Sequence, residues 1–187
     1  MRKIFAAGGC AALLAVGLVA WAAEDAPAPP MPMPQAEHAW LQQLVGDWDT
    51  EVECVMAPGQ PAVKSKGTEH SRMIGGFWAV FENHGEMMGA PFTGIMTVGY
   101  DPEKKQYQAT WVDSMTPILW VYQGEVDASG KALVLHAKGP SCEQPGKTVN
   151  YRETTTLVDG DHKVFTSEAE MDGAWVPCVT VHYTRKK

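Results

Sequence analysis

Leu44-Val45-Gly46-Asp47-Trp48-Asp49-Thr50-Glu51-Val52-Glu53-Cys54-Val55-Met56 is the stretch that decides the fold. Acids fall at 49, 51 and 53, and apolar or small residues at 48, 50, 52, 54 and 56. Successive side chains on a strand point to opposite faces, so this period of two reads as a half-buried strand with a wet, acidic outer face. Gly46 gives the chain freedom to turn sharply into that strand. Trp48, two residues on, is a large rigid ring suited to plugging the floor of a barrel. Just upstream, Ala36 to Leu44 (AEHAWLQQL) sets Trp40, Leu41 and Leu44 on one helical face, as a short helix capping one barrel end requires.

Beyond Met56, turn signals recur at short intervals: Ala57-Pro58-Gly59, Gly75-Gly76, Gly85 to Pro91, Asp101-Pro102, Ser114 to Pro117, Asp127 to Gly130, Gly139 to Gly146, Asp159-Gly160-Asp161 and Asp172-Gly173. The intervals predict ten strands, at 47–56, 63–74, 77–84, 92–100, 106–113, 118–126, 132–139, 148–158, 162–171 and 174–184. Every connection suits a hairpin, and closing the sheet removes both exposed edges. The expected fold is therefore all-β: a closed up-and-down antiparallel barrel of about ten strands with a short N-terminal capping helix. Pro177 cannot donate to a central ladder, which places it near a strand start or at a bulge.

Alternation assigns an interior. Phe92, Gly94, Met96, Val98 and Tyr100 share one face, as do Tyr107, Ala109, Trp111 and Asp113. Further along, the inward sets are Ile118, Trp120 and Tyr122; Val149, Tyr151, Glu153, Thr155 and Leu157; and Trp175, Val179, Val181 and Tyr183. Lys64 to Ile74 does not alternate cleanly, so Glu69 and Arg72 receive no face.

The N-terminus reads as an export signal. Met1-Arg2-Lys3 is positive, Ile4 to Val19 is apolar, and Ala20-Trp21-Ala22 fits a small-x-small cleavage site after residue 22. An uncleaved N-terminal membrane anchor is the alternative, since residues 4–23 just reach spanning length. Only Ile4-Phe5-Ala6 lies apolar ahead of Ala7-Gly8-Gly9-Cys10, and the apolar core follows the cysteine, the wrong order for lipid attachment. Residues 23–35 carry Pro27, Pro29, Pro30, Pro32 and Pro34, a tether without a fold of its own. The barrel domain then occupies 36–187, a length suited to one domain. Loss of residues 1–22 removes Arg2 and Lys3, leaving 13 basic side chains against 22 acidic and a formal charge of −9. Such a surface repels nucleic acid and anionic lipid headgroups. A periplasmic or secreted location follows, with no stable membrane insertion after cleavage.

Together, several motifs resemble those of the DUF1579 family: Gly46-x-Trp48, Gly67-Thr68-Glu69, Arg72-Met73-Ile74-Gly75-Gly76, Gly85-Glu86-Met87-Met88-Gly89, Gly99-Tyr100-Asp101 and Trp111-x-Asp113-Ser114-Met115. The likeness covers roughly residues 38–185. It implies a barrel similar to lipocalins and fatty-acid-binding proteins, and it brings no settled activity, cofactor or catalytic residues.

Cys54, Cys142 and Cys178 remain after the signal, and an oxidising compartment could close one pair. Parity puts Cys54 inward and Cys178 outward, which favours Cys142 with Cys178. Met31, Met33, His38, His84, Met87 and Met88 raise a soft-metal reading, copper(I) in an exported protein, but their spacing matches no closed ligand set. His136 and His182 fall outward, and no inward histidine stands out as a haem ligand. No Cys-x-x-Cys, His-Glu-x-x-His, Gly-x-Ser-x-Gly or Walker loop occurs, so no metal, cofactor or catalytic set is assigned.

The expected site is an interior cavity lined by Trp111, Asp113, Trp120, Tyr122, Tyr151 and Glu153, with Met88 and Met115 at its mouth. Its expected occupant is a small apolar or amphipathic molecule, with Asp113 as the polar anchor. Two alternatives stay open. One is an enzyme using Asp113 and Glu153 in acid–base chemistry; the other is a packed structural module with no ligand.

Overall fold

The structure, a computed structural model, describes residues 31–55, 60–141 and 146–187. A short helix, α1 (Ala36–Leu41), precedes ten strands: β1 (Gly46–Cys54), β2 (Val63–Ile74), β3 (Trp78–Met87), β4 (Ala90–Asp101), β5 (Gln106–Asp113), β6 (Trp120–Val126), β7 (Ala132–Pro140), β8 (Thr148–Leu157), β9 (His162–Met171) and β10 (Ala174–Arg185). Each strand pairs antiparallel with its sequence neighbour, and β1 pairs with β10 to close the barrel. Among the described residues no helix is long and apolar enough to cross a membrane. The expected signal and most of the expected tether lie outside the described residues, as does Cys142.

One end is a floor. There α1 lays Leu41 and Leu44 against the core, and Tyr107 Oη donates to the Glu37 carbonyl at 2.9 Å. Trp48 is only 1% exposed, and its indole N–H donates to the Leu44 carbonyl at 3.1 Å. Two cations clasp that indole. Lys163 Nζ lies 4.4 Å from the ring centroid and the Arg185 guanidinium 4.0 Å from it. Arg185 is held in place by the Val45 and Gly160 carbonyls, at 2.9 and 3.0 Å. Gly46 adopts φ +138°, and a Cβ there would collide with Arg185 Nη1. The Gly-x-Trp motif thus needs glycine for this positive-φ backbone, over which the last strand's arginine passes to reach the tryptophan.

Lys163 is the least expected core residue. It shares the inward face of β9 with Phe165 and Ala169 and is 2% exposed. Its ammonium donates to Glu69 Oε1 at 2.6 Å and to the Leu44 carbonyl at 3.0 Å. Glu69 is itself 4% exposed, and Ser71 Oγ stands 3.4 Å from its Oε1. Both residues are pulled toward neutrality by burial and back toward charge by each other. Glu69 therefore faces inward, whereas Arg72 on the same strand is exposed.

Two local features shift side chains from their expected places. Pro177 pairs with Glu168 and Val179 with Ser167, so Cys178 is the extra residue of a bulge. The bulge changes the phase of β10. Val179, Val181 and Tyr183 face the interior, but Trp175 turns outward under the Arg152 guanidinium, 4.6 Å from its ring. It also cancels the parity objection to Cys54 lying near Cys178: Val55 N–H donates to the Cys178 carbonyl at 2.8 Å across the β1–β10 seam. The second feature is the β3–β4 turn. It is tighter than the Gly85–Pro91 loop expected, with Met88 at φ 52° and Gly89 at φ 79°, the two-residue turn that suits hairpin twist.

Lys163→Met should leave Glu69 buried without its counter-ion and lower unfolding stability by about 3–5 kcal/mol. The double variant Lys163→Met/Glu69→Leu should recover most of that loss. Urea denaturation of the two proteins checks this, and equal instability of single and double variants would contradict it.

Candidate functional site

The barrel encloses a cavity of about 430 Å³. It runs from Met87, Met115 and Thr116 at the open rim to Leu44 and Lys163 at the floor. Seven expected residues line it: Trp111, Asp113, Trp120, Tyr122, Tyr151, Glu153 and Met115. Met88 does not; it projects from the hairpin tip, 65% exposed, and Met87 takes the inward place. Adjacent residues on a strand face opposite ways, so the tight turn decides which methionine reaches the mouth.

Glycines shape the wall. A Cβ at Gly94 would overlap the Trp111 ring, and one at Gly139 would overlap the Trp120 ring. Each indole occupies space that a side chain at the neighbouring glycine would take. Trp120 also stands where the sheet is least knitted, since β6 pairs with β7 only over Gln123–Val126. Its ring meets Tyr151 edge-on at 5.0 Å and stacks near Tyr122 at 6.3 Å.

Asp113 is not placed as a free anchor. Its Oδ1 accepts the backbone N–H groups of Met115 and Thr116 at 2.8 and 2.9 Å, and its Oδ2 accepts the Trp111 indole N–H at 2.9 Å. It ties the β5–β6 rim loop together and fixes the Trp111 ring, the local hydrogen bonding at which aspartate excels after a strand. Glu153 is different. It is 8% exposed, and Ser167 Oγ, donating at 3.0 Å, is its hydrogen-bond partner. Burial pushes its carboxyl up to about 7, with Ser167 pulling weakly the other way. Asp113 on β5 and Glu153 on β8 stand three strand spacings apart, roughly 14 Å along the wall. Each has its own donors, and among the described residues no hydrogen bond joins the two.

The soft-metal set is not assembled. His38 is buried in the floor, accepting the Gln35 N–H at 2.9 Å and packed edge-on against Phe77 and Tyr100. His84, by contrast, sits toward the rim beside Glu82 and Thr93, at 2.9 and 3.2 Å. Met33 is exposed. Among the described residues no three His, Cys, Asp or Glu side chains converge as metal ligands.

Among the lining residues that sequence reasoning did not place inside, Glu69 and Lys163 are the buried charged ones. Lys163 carried a signal, since it falls in phase with Phe165. Glu69 carried little, because the inward positions of β2 are Ser65, Gly67, Glu69 and Ser71, polar or small like the outward ones.

Residues 33–185 match the family described as "Protein of unknown function (DUF1579)". The chain belongs to the DUF1579 family. None of the curated proteins matches it in sequence. Among solved structures it is similar to Rv2717c from M. tuberculosis, at 10% identity and a TM-score of 0.58, over 83% of this chain and 100% of that one. Looser likenesses, both with a TM-score of 0.43, are to two redesigned β-barrels. The first, b11L5F_LGL, is 15% identical over 83% of this chain and 100% of that one. The second, mFAP0 bound to DFHBI, is 12% identical over 77% and 100%. The likeness to the mycobacterial protein is one of fold.

Glu153 makes stability depend on pH in a definite direction. Its folded value of about 7 lies above the ordinary 4.5, so the folded state holds the proton more tightly. The stability this contributes is complete below about pH 4.5 and is lost as pH rises through 7. Glu153→Gln should therefore be more stable than the parent above pH 7 by about 3 kcal/mol, with the gap closing toward pH 4.5. Denaturant midpoints of parent and variant across that range check it; a gap that does not vary with pH would contradict it.

Proposed function

We propose that this is an exported barrel that binds a small apolar or amphipathic molecule in its interior. The observation that carries the reading is the cavity of about 430 Å³ reaching from rim to floor. That volume lies within the range of small-molecule sites, which are mostly apolar with a few placed polar groups. Here the apolar surface comes from Trp111, Trp120, Tyr122, Phe165 and neighbouring aliphatic side chains, and the buried polar group is Glu153. Export is supported by the positive start, apolar run and small-residue site of residues 1–22. The rim, with Met87 and Met115, supplies adaptable side chains at the mouth.

The neutral hydrophobic fluorophore N-phenyl-1-naphthylamine tests the interior. It should bind saturably, one molecule per chain, and quench tryptophan emission, because Trp111 and Trp120 line the cavity. Gly139→Ala should push the Trp120 ring inward and weaken that binding by roughly tenfold, equivalent to about 1.4 kcal/mol. A folded parent showing no saturable binding, or a variant that binds as well as the parent, would refute the reading. Intact mass of the chain from its native cells tests export: cleavage after residue 22 leaves Ala23 at the N-terminus, whereas a full-length mass refutes it.

A further inference from the structure

The charges of the lining are not balanced, and the imbalance bears on what the cavity accepts. Among the described residues, four carboxylates and two ammonium groups border it. Both ammonium groups are already answered: Lys163 by Glu69 at 2.6 Å inside, and Lys66 by Glu51 at 3.0 Å on the outer surface. An anionic head entering the cavity finds no uncommitted cation. Of the three buried or half-buried carboxylates, Glu69 has Lys163 and Asp113 has its own loop's N–H groups. Glu153 alone has neither, only the Ser167 hydroxyl.

Aromatic side chains line the same wall. Tyr151 is the next inward residue on β8, about 7 Å along the strand. Trp120 touches Tyr151 and stacks near Tyr122. The charge of Glu153 contributes to holding the Tyr122 hydroxyl well above its ordinary range, so the two are close enough to interact. A carboxylate beside aromatic rings is the chemistry that receives an organic cation, since the ring face attracts positive charge and the carboxylate supplies the counter-ion.

We propose that the cavity takes a lipophilic amine in its ammonium form, with the cationic head against Glu153 beside Trp120, Tyr122 and Tyr151 and the apolar tail along the rest of the lumen. This rests on the interior-binding reading above and names the ligand class for that same site.

Proton linkage gives the proposal a second handle. An alkylammonium ion keeps its charge to about pH 10, so it does not titrate near neutrality. Glu153 does, and a cation favours its ionised form, so amine affinity should rise with pH through about 7. The groups around Glu153 are Ser167 on β9, Leu135 on β7, Tyr122 on β6, Tyr183 on β10, and Tyr151 and Thr155 on its own strand. Among the described residues, the remaining titratable groups of the lining are the Glu69–Lys163 pair at the floor, Asp113 at the rim, Lys66 on β2, and His84 and Glu86 on β3. Glu153→Gln separates the titration of Glu153 from any contribution of that pair.

The test is calorimetric titration of the folded mature chain with three probes of equal tail: decylammonium, 1-decanol and decanoate. At about pH 8 decylammonium should bind roughly tenfold tighter than either of the others, and the advantage should shrink toward pH 6. Glu153→Gln should erase both the advantage and its pH dependence, leaving 1-decanol binding within about twofold. Decanol or decanoate binding as tightly as the amine overturns the proposal, as does an amine preference that survives in Glu153→Gln. Should that variant not fold, the parent's pH series decides, and a preference unchanged between pH 8 and 6 overturns it. If N-phenyl-1-naphthylamine binds and decylammonium does not, the amine proposal alone falls. If neither binds, the interior-binding reading falls with it.

Discussion

An ammonium group inside the barrel floor is the constraint around which the rest is arranged. Moving a charge out of water is worth several kcal/mol of opposition, so Lys163 can stay only where its partners are all present. Those partners come from distant parts of the chain. Leu44 follows α1, Trp48 belongs to β1, Glu69 to β2 and Tyr183 to β10, while Lys163 itself is on β9. These four strands and the helical turn are the elements that meet where the first and last strands close the barrel. A one-residue slip between β1 and β10 would turn Tyr183 outward and remove a ring from the ammonium. The pair therefore acts on register and closure. Arg185 completes the floor at the Trp48 indole, and the turn into that strand has glycine because its backbone has a positive φ.

The fold was legible because strand parity and turn chemistry agreed along nearly the whole chain. Asp127 to Gly130 and Asp159-Gly160-Asp161 mark hairpins whatever lies between them, and Trp48 to Cys54 alternates without a break. All ten strands fall where those signals put them, with ends moved by a few residues. Parity failed where the backbone departs from a regular strand. The bulge at Cys178 sent Trp175 outside, and the two-residue turn at Met88-Gly89 exchanged Met87 for Met88 at the mouth. A period of two carries no information about an inserted residue, so neither could be read from alternation.

The chemistry of the interior was less legible for a different reason. A charged residue in a strand is most often solvated, and only its phase with apolar neighbours argues otherwise. Lys163 had such neighbours in Phe165 and Ala169. Glu69 did not, because the inward row of β2 is Ser65, Gly67, Glu69 and Ser71. That row is polar because it faces a cavity and a buried ion pair, not a packed core. Asp113 shows the converse error. Its inward phase was correct, but phase does not reveal that backbone N–H groups two and three residues ahead would occupy its oxygens.

The lumen persists because its largest side chains are held against the wall. Gly94 and Gly139 leave room at the wall for the Trp111 and Trp120 rings, and Asp113 pins the Trp111 nitrogen. A core selected for stability alone would let such rings project and interdigitate, because filled interiors gain dispersion contacts. Glu153 points the same way. Burial raises its carboxyl to about 7, which subtracts from stability at and above neutral pH. Ser167 offsets only part of that, and no lining cation answers it. A lumen that side chains do not fill and a buried carboxylate without a counter-ion both weaken the folded state, yet here they occupy one place. Both departures from the most stable solution lie on one wall, and together they support the interior-binding reading proposed above.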